Sequence, residues 1–407
     1  MNFWKKGRDQ SLPEFIALIA LQISMVALTI DAMLPALPAI GQELGVAEAN
    51  DTQLVISLFF LGFAVGQFFY GPLSDSLGRK SMILTGIVIF GVGCILSLVS
   101  WNYETMLLGR VLQGLGAAGP RTVTIAVVRD RYAGRGMARI MSFVMAVFII
   151  VPALAPAIGQ AVLFVADWRA IFLLLMALGL ICLAWMTFRL PETLADKDRM
   201  PLSVTRIWSA VLETVQNRHA LGYTISAGFI FGAFVGYLNS AQQIFQDVFG
   251  IVDLFPLFFG ILALAIGASS VVNARIVMRF GMRFLSFAAV FTLTGLSLVF
   301  LVVDILLAGH PPLWAFMLWG MTSFFCIGLL FGNLNALAME PLGHIAGTGS
   351  AVVGALTTLI SLVFGIVVGQ AFDGTALPLV AGFACLGVIS SIAMVITNRG
   401  LRGASRQ

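Results

Sequence analysis

The chain has 407 residues, of which 59% are hydrophobic and 10% charged, with a mean hydropathy of +1.00. A soluble domain carries about 25% charged residues, so a soluble globule is excluded. The formal charge of +4 is spread over short separate clusters, which argues against a nucleic-acid partner. Windows of about 20 apolar residues, each long enough to cross a bilayer, recur from Leu12 to Thr397 and leave room for about twelve spans.

Placed on alternating sides of those spans, twenty of the 23 basic residues fall on one side. They include Lys5, Lys6 and Arg8 before the first span and Arg399, Arg402 and Arg406 after the last. The positive-inside rule makes that side cytoplasmic, both termini with it. No small-residue cleavage pattern follows Leu12, so the first span is expected to be retained. Cys94, Cys182, Cys326 and Cys385 sit in apolar runs, where neither disulfides nor a metal cluster is expected.

Span 1, 12–37, contains one ionised group, Asp31. An acid inside a membrane helix costs about 2.5–3.5 kcal/mol and calls for a polar cavity or a partner; depth alone leaves both a functional and an interfacial reading open. Span 2 carries Gly62 and Gly66 at the spacing that lets helices approach closely. The stretch 71–80 (Gly-Pro-Leu-Ser-Asp-Ser-Leu-Gly-Arg-Lys) reads as a hydrophilic hairpin. In it Gly71-Pro72 ends span 2, Gly78 permits a turn, and Arg79-Lys80 mark a cytoplasmic edge.

Span 4, about 104–128, places Arg110 among small residues, followed by Gln113. A rise of about 1.5 Å per residue puts Arg110 at a depth comparable with Asp31, within reach of it. Arg121, eleven residues on, returns to the same helix face, which directs both arginines into one cavity or leaves Arg121 to pair near the cytoplasmic end. Span 5, about 140–164, contains Pro152, Pro156 and Gly159, which kink or loosen a helix. After Pro191-Glu192-Thr193 comes a linker, 194–217, with apolar residues at helical spacing from Val204 to Val215. It predicts an amphipathic helix on the membrane face.

The second half repeats the first weakly at an offset of 203 residues, which aligns Gly281-Met282-Arg283 with Gly78-Arg79-Lys80 and gives two six-span halves, 1–193 and 218–407. Under that offset Asp31, Asp75 and Arg110 face Phe234, Met278 and Leu313, so titrating and gating charges are expected in the first half alone. Span 7 instead offers Phe234, Tyr237, Asn239 and Gln242, an aromatic and amide mixture suited to uncharged organic molecules.

The stretch 71–80 closely resembles the signature loop between helices 2 and 3 of the major facilitator superfamily. The Arg110 segment resembles that family's span-4 motif, and span 5 resembles, in part, the antiporter motif of its drug exporters; Ala155 and Gln160 replace two of that motif's glycines. With the Asp31-x-x-Leu-Pro segment and Arg129-Asp130, the set most resembles the Bcr/CflA group of drug exporters. The resemblance implies an all-α polytopic fold of twelve transmembrane helices in two pseudo-symmetric bundles. It also implies proton coupling through Asp31 and Arg110, and gating by Gly71, Asp75, Gly78, Arg79, Arg129, Pro152, Pro156 and Gly159. Substrate would meet Asp31, Arg110, Gln113, Arg121, Phe234, Tyr237, Asn239 and Gln242.

The expected protein is thus a monomeric proton-coupled exporter of small organic molecules in a bacterial inner membrane. Its partners are substrate, protons and lipid, and the proton gradient replaces any cofactor. One acid against two arginines favours neutral, zwitterionic or anionic substrates. Export of an endogenous metabolite or metallophore, and nutrient import, are the alternatives. No nucleotide-binding loop or hydrolase motif occurs, so neither ATP-driven transport nor an enzyme is expected.

Overall fold

The computed structural model describes residues 11–132 and 134–404; Lys5, Lys6, Arg8 and Arg406, counted above, lie outside the described residues. Among the described residues all regular structure is helical, and the chain divides into two compact units, 1–47 with 58–207, and 48–57 with 208–407.

The first unit contains α1 (Leu12–Asp31), α2 (Leu37–Glu43), α3 (Leu54–Leu77), whose opening residues belong to the second unit, α4 (Arg79–Leu98), α5 (Tyr103–Arg131), α6 (Gly134–Leu163) and α7 (Arg169–Arg189). After α8 (Val204–Gln216), the second unit contains α9 (Arg218–Gln243), α10 (Phe255–Phe280), α11 (Met282–Leu306), α12 (Leu313–Met339), α13 (Ala346–Gln370) and α14 (Leu377–Ala404). Ten stretches of the described residues are long and apolar enough to cross a membrane. One of them, Leu313–Gln370, holds both α12 and α13, and α6 adds the apolar segment Ile150–Leu163. Each unit thus supplies six long helices.

Helix ends follow local chemistry. Ser11 accepts from the Glu14 amide at the start of α1, Asn102 from Thr105 at α5, and Asn217 from His219 and Ala220 at α9, each satisfying amides that the first turn leaves without partners. Side chains are distributed as in membrane bundles. In α4, Gly86, Phe90, Gly93, Cys94 and Ser97 face inward, while Val88, Val92 and Ile95 are exposed. Small residues bring backbones together: a Cβ on Gly62 of α3 would overlap the Val111 carbonyl oxygen of α5, and one on Gly114 of α5 would overlap that of Phe59.

Two expected boundaries move. Pro72 does not end the second span; it lies inside α3, which continues to Leu77. A proline removes a single backbone bond, and Ser74 Oγ donating to the Gly71 carbonyl at 2.8 Å shows the turn remaining closed. The break falls on Gly78 alone, at φ 100°, a conformation open to glycine. Its partner at the 203-residue offset, Gly281, also has positive φ, 78°, and also opens a helix. Span 1 shortens instead: α1 stops at Asp31, and a 3-10 turn over Leu34–Ala36 leads into α2, because Pro35 and Pro38 lack the N–H that would bond to the carbonyls four residues earlier, those of Asp31 and Leu34. The linker helix appears as α8, with Val204, Trp208, Leu212 and Val215 exposed along one side.

Candidate functional site

Ending α1 at Asp31 decides where this acid sits. It occupies the last helical residue, 5% exposed, at a break in the chain rather than within a continuous helix. The break is packed against α6: a Cβ on Gly159 would overlap the Ala32 carbonyl oxygen. Gly159 therefore lets the proline-bearing helix lie directly on the backbone beside Asp31. Pro152 and Pro156 both lie inside α6.

Arg110 is fully buried. Its Nη1 donates to Gln113 Oε1 at 2.6 Å, and its Nη2 donates to the Thr29 carbonyl of α1 at 3.0 Å. The guanidinium carbon lies 5.1 Å from the centre of the Phe59 ring, a cation–π contact. Gln113 in turn donates from Nε2 to Ser97 Oγ of α4 at 3.1 Å. The anticipated approach of Arg110 to Asp31 thus takes the form of a contact with α1 two residues earlier. Here Arg110 is a packed strut of α1, α4 and α5. Arg121 is half-buried on α5. Deeper between α1 and α5, Thr124 Oγ1 donates to Gln22 Oε1 at 2.6 Å, both side chains being fully buried.

The segment around Gly78 forms a charged cluster. Arg79 Nη1 pairs with Asp75 Oδ1 at 2.5 Å, Arg79 Nε with Asp130 Oδ2 at 3.1 Å, and Arg79 Nη1 donates to Ser74 Oγ at 2.7 Å. Glu192, after α7, caps α4 by accepting from the amides of Arg79 at 2.9 Å and Lys80 at 3.2 Å. Arg129 is exposed; Asp130, its neighbour, faces the cluster. The sequence reading passed over Glu192 and Asp130 as contributors. A carboxylate 113 residues from the amide it caps gives no local signal, although an acid beside a helix N-terminus is favourable wherever the fold brings one.

In the second unit, Tyr237 is buried between Phe259, centroids 5.7 Å apart, and Phe324, 4.7 Å, and half-buried Phe234 meets Phe324 at 5.6 Å. Asn239 is engaged in packing: its Nδ2 donates to Ser57 Oγ at 3.0 Å and to the Gly365 carbonyl at 3.1 Å. Around it lies a lattice of amides. Gln53 Nε2 donates to Gln243 Oε1 at 2.6 Å, Gln243 Nε2 to Asn50 Oδ1 at 3.0 Å, and Asn50 and Gln370 exchange side-chain-to-carbonyl bonds at 3.1 and 2.9 Å. Gln242 donates to Gln246 within its own helix end. Phe234 and Tyr237 therefore belong to one aromatic cluster of α9, α10 and α12, whereas Asn239 belongs to the amide lattice. Among the described residues no group of three or more His, Cys, Asp or Glu is placed to hold a metal.

The site thus combines a buried acid at a helix break, a buried arginine bonded to the same helix two residues earlier, and a charged cluster at the Gly78 turn. The family described as Major Facilitator Superfamily matches residues 19–366. The chain is 31% identical to an uncharacterized MFS-type transporter, YdgK, of Bacillus subtilis, over 90% of each chain. It is 28% identical to the bicyclomycin resistance protein homolog of Haemophilus influenzae, over 97% of this chain and 99% of that one. Among solved structures, a D-xylose-proton symporter superposes with a TM-score of 0.73 at 13% identity, covering 93% of this chain and 97% of the other.

Proposed function

The chain belongs to the major facilitator superfamily, and from that premise we propose that it exports small organic molecules, drugs among them, in exchange for protons. It is a multi-pass membrane protein, and the basic residues support an orientation with both termini in the cytoplasm of a bacterium. Relatives of nearly full length named for drug resistance support the substrate class. The observation that carries proton coupling is Asp31, a buried acid at the end of α1 beside the Ala32–Gly159 contact.

On this reading Asp31 carries the proton. Arg110, bonded to the Thr29 carbonyl, fixes α1 two residues before the acid, and the gain or loss of water around the carboxyl group as the protein opens and closes governs its hold on the proton. Proton entry and substrate departure then alternate because both depend on the state of one carboxyl group. In this scheme the protein alternates between two states, as a chain built of internal repeats allows. One acid set against Arg110 and Arg121 directs the preference to neutral, zwitterionic or anionic compounds over lipophilic cations. The aromatic cluster of Phe234 and Tyr237 supplies an apolar wall.

The test is transport in proteoliposomes under an imposed pH gradient. Asp31→Asn is expected to abolish proton-driven transport while the protein remains folded; full transport by that variant would remove Asp31 from the coupling step. Import or metabolite export is distinguished by whether deleting the gene makes cells sensitive to drugs or makes them accumulate a metabolite.

A further inference from the structure

Beside Asp31, the described residues contain one other acid buried below a tenth of its surface. Asp304 lies two residues before the end of α11, fully buried, and among the described residues neither carboxylate oxygen has a hydrogen-bond partner. The 203-residue repeat predicts titrating groups in the first half alone; this one is in the second.

Its surroundings are closed and nearly free of charge. Helix α11 packs on α10, α12 and α14. Helix α12 contains no ionisable Asp, Glu, Lys, Arg or His, while Arg275 and Arg279 of α10 and Arg399 and Arg402 of α14 stand at the opposite ends of those helices. The ionisable groups at the near end are exposed: His310, whose Nδ1 lies 2.9 Å from the Ala308 carbonyl, Asp373, which accepts from Thr375 Oγ1 at 2.6 Å, and Asp253 before α10. Two loops meet at this end of α11. The Gly309 amide donates to the Asp304 carbonyl at 2.8 Å, and the Ala376 amide donates to the Gly309 carbonyl at 2.9 Å. Gly309 adopts φ 79° and lies so close to Thr375 that a Cβ there would stand 2.6 Å from the Thr375 Cβ.

A carboxylate shut away from water and without donors is among the most costly groups to bury, whereas the neutral acid costs far less. With both oxygens inaccessible there is no room for a hydrated cation, and a proton needs none. We propose that Asp304 is a proton-binding site, occupied while loops 307–312 and 372–376 are closed over it. When the loops part, the O–H bond breaks, the proton passes to water and the carboxylate takes water donors in its place. Closure of this end of the second unit is therefore linked to the proton concentration it meets, and rising pH favours the open form.

The test compares thermal unfolding of the full chain in lipid nanodiscs between about pH 5 and pH 8. Asp304→Asn, a neutral isostere, is expected to match wild type at the acid end and to unfold at a higher temperature than wild type at the alkaline end. His310→Gln and Asp373→Asn should keep the wild-type pH dependence. A constant offset between wild type and Asp304→Asn across the range would overturn the proposal, as would loss of the pH dependence in either control. Should Asp304→Asn fail to fold, infrared spectra of protein labelled with 13C-carboxyl aspartate decide. A protonated-carboxyl band that persists at neutral pH in Asp31→Asn supports the site, and its absence there refutes it.

Discussion

Replacing Gly62 by alanine tests how the close approach of α3 and α5 sets the position of Arg110. The new Cβ would overlap the Val111 carbonyl oxygen and stand 2.8 Å from the Val111 carbonyl carbon and 2.9 Å from the Leu115 nitrogen. All three are backbone atoms, so no side-chain rotation relieves them, and the helices must separate by on the order of 1 Å to restore ordinary contact. Overpacking of this kind costs about 1–3 kcal/mol. Arg110 adjoins Val111 and reaches the Thr29 carbonyl at 3.0 Å; a shift of that size takes the bond beyond useful range, adding about 1.5–3 kcal/mol for a charged donor. Better helix propensity returns about 1 kcal/mol, leaving a net loss of about 1.5–5 kcal/mol.

Gly114→Ala strains the same contact from the other helix, so the double variant should lose less than the sum of the singles. Gly91→Ala has nothing within 4 Å of the added carbon and should be neutral or slightly stabilising. Unfolding in nanodiscs, with transport rates in parallel, measures all four proteins. Wild-type stability in Gly62→Ala, or full additivity with Gly114→Ala, would refute the reasoning.

Glu192→Ala removes the acceptor of the Arg79 and Lys80 amides and should cost about 0.5–2 kcal/mol, as loss of a helix N-cap does, read by the same unfolding assay. Asp75→Asn breaks the ion pair with Arg79 and should slow transport without weakening substrate binding, seen as a lowered maximal rate and as altered labelling of cysteine probes placed on the basic side. Arg121→Ala should weaken transport of acidic compounds more than that of neutral ones, measured as competing uptake into inverted vesicles; equal effects on both would exclude it as an anion anchor.

Much of this architecture is legible in the sequence because membrane helices declare themselves by length and apolarity, and because Gly78 and Gly281 mark turns between helices by residue type. The pairing of Arg110 with Gln113 is local, three residues along one helix, and so could be anticipated. What escaped depends on distant partners. The Asn50, Gln53, Gln243 and Gln370 lattice joins residues up to 320 positions apart. Asp304, near the end of an apolar run, gives no local sign that both of its oxygens are buried. Pro72 misled because a proline is a strong stop signal only where the chain has an alternative to continuing the helix.

That amide lattice has a further consequence. Every bond in it joins uncharged groups, so neither acidification nor added salt alters its strength directly. At the Gly78 hinge, by contrast, the fastening is ionic, through Asp75, Arg79 and Asp130. The two fastenings therefore answer differently to the medium: the neutral one holds regardless of ionic strength, while the ionic one weakens as salt rises. Exchanging Gln243 for glutamate would make the constant fastening responsive, turning a passive clasp into an acid-sensitive one.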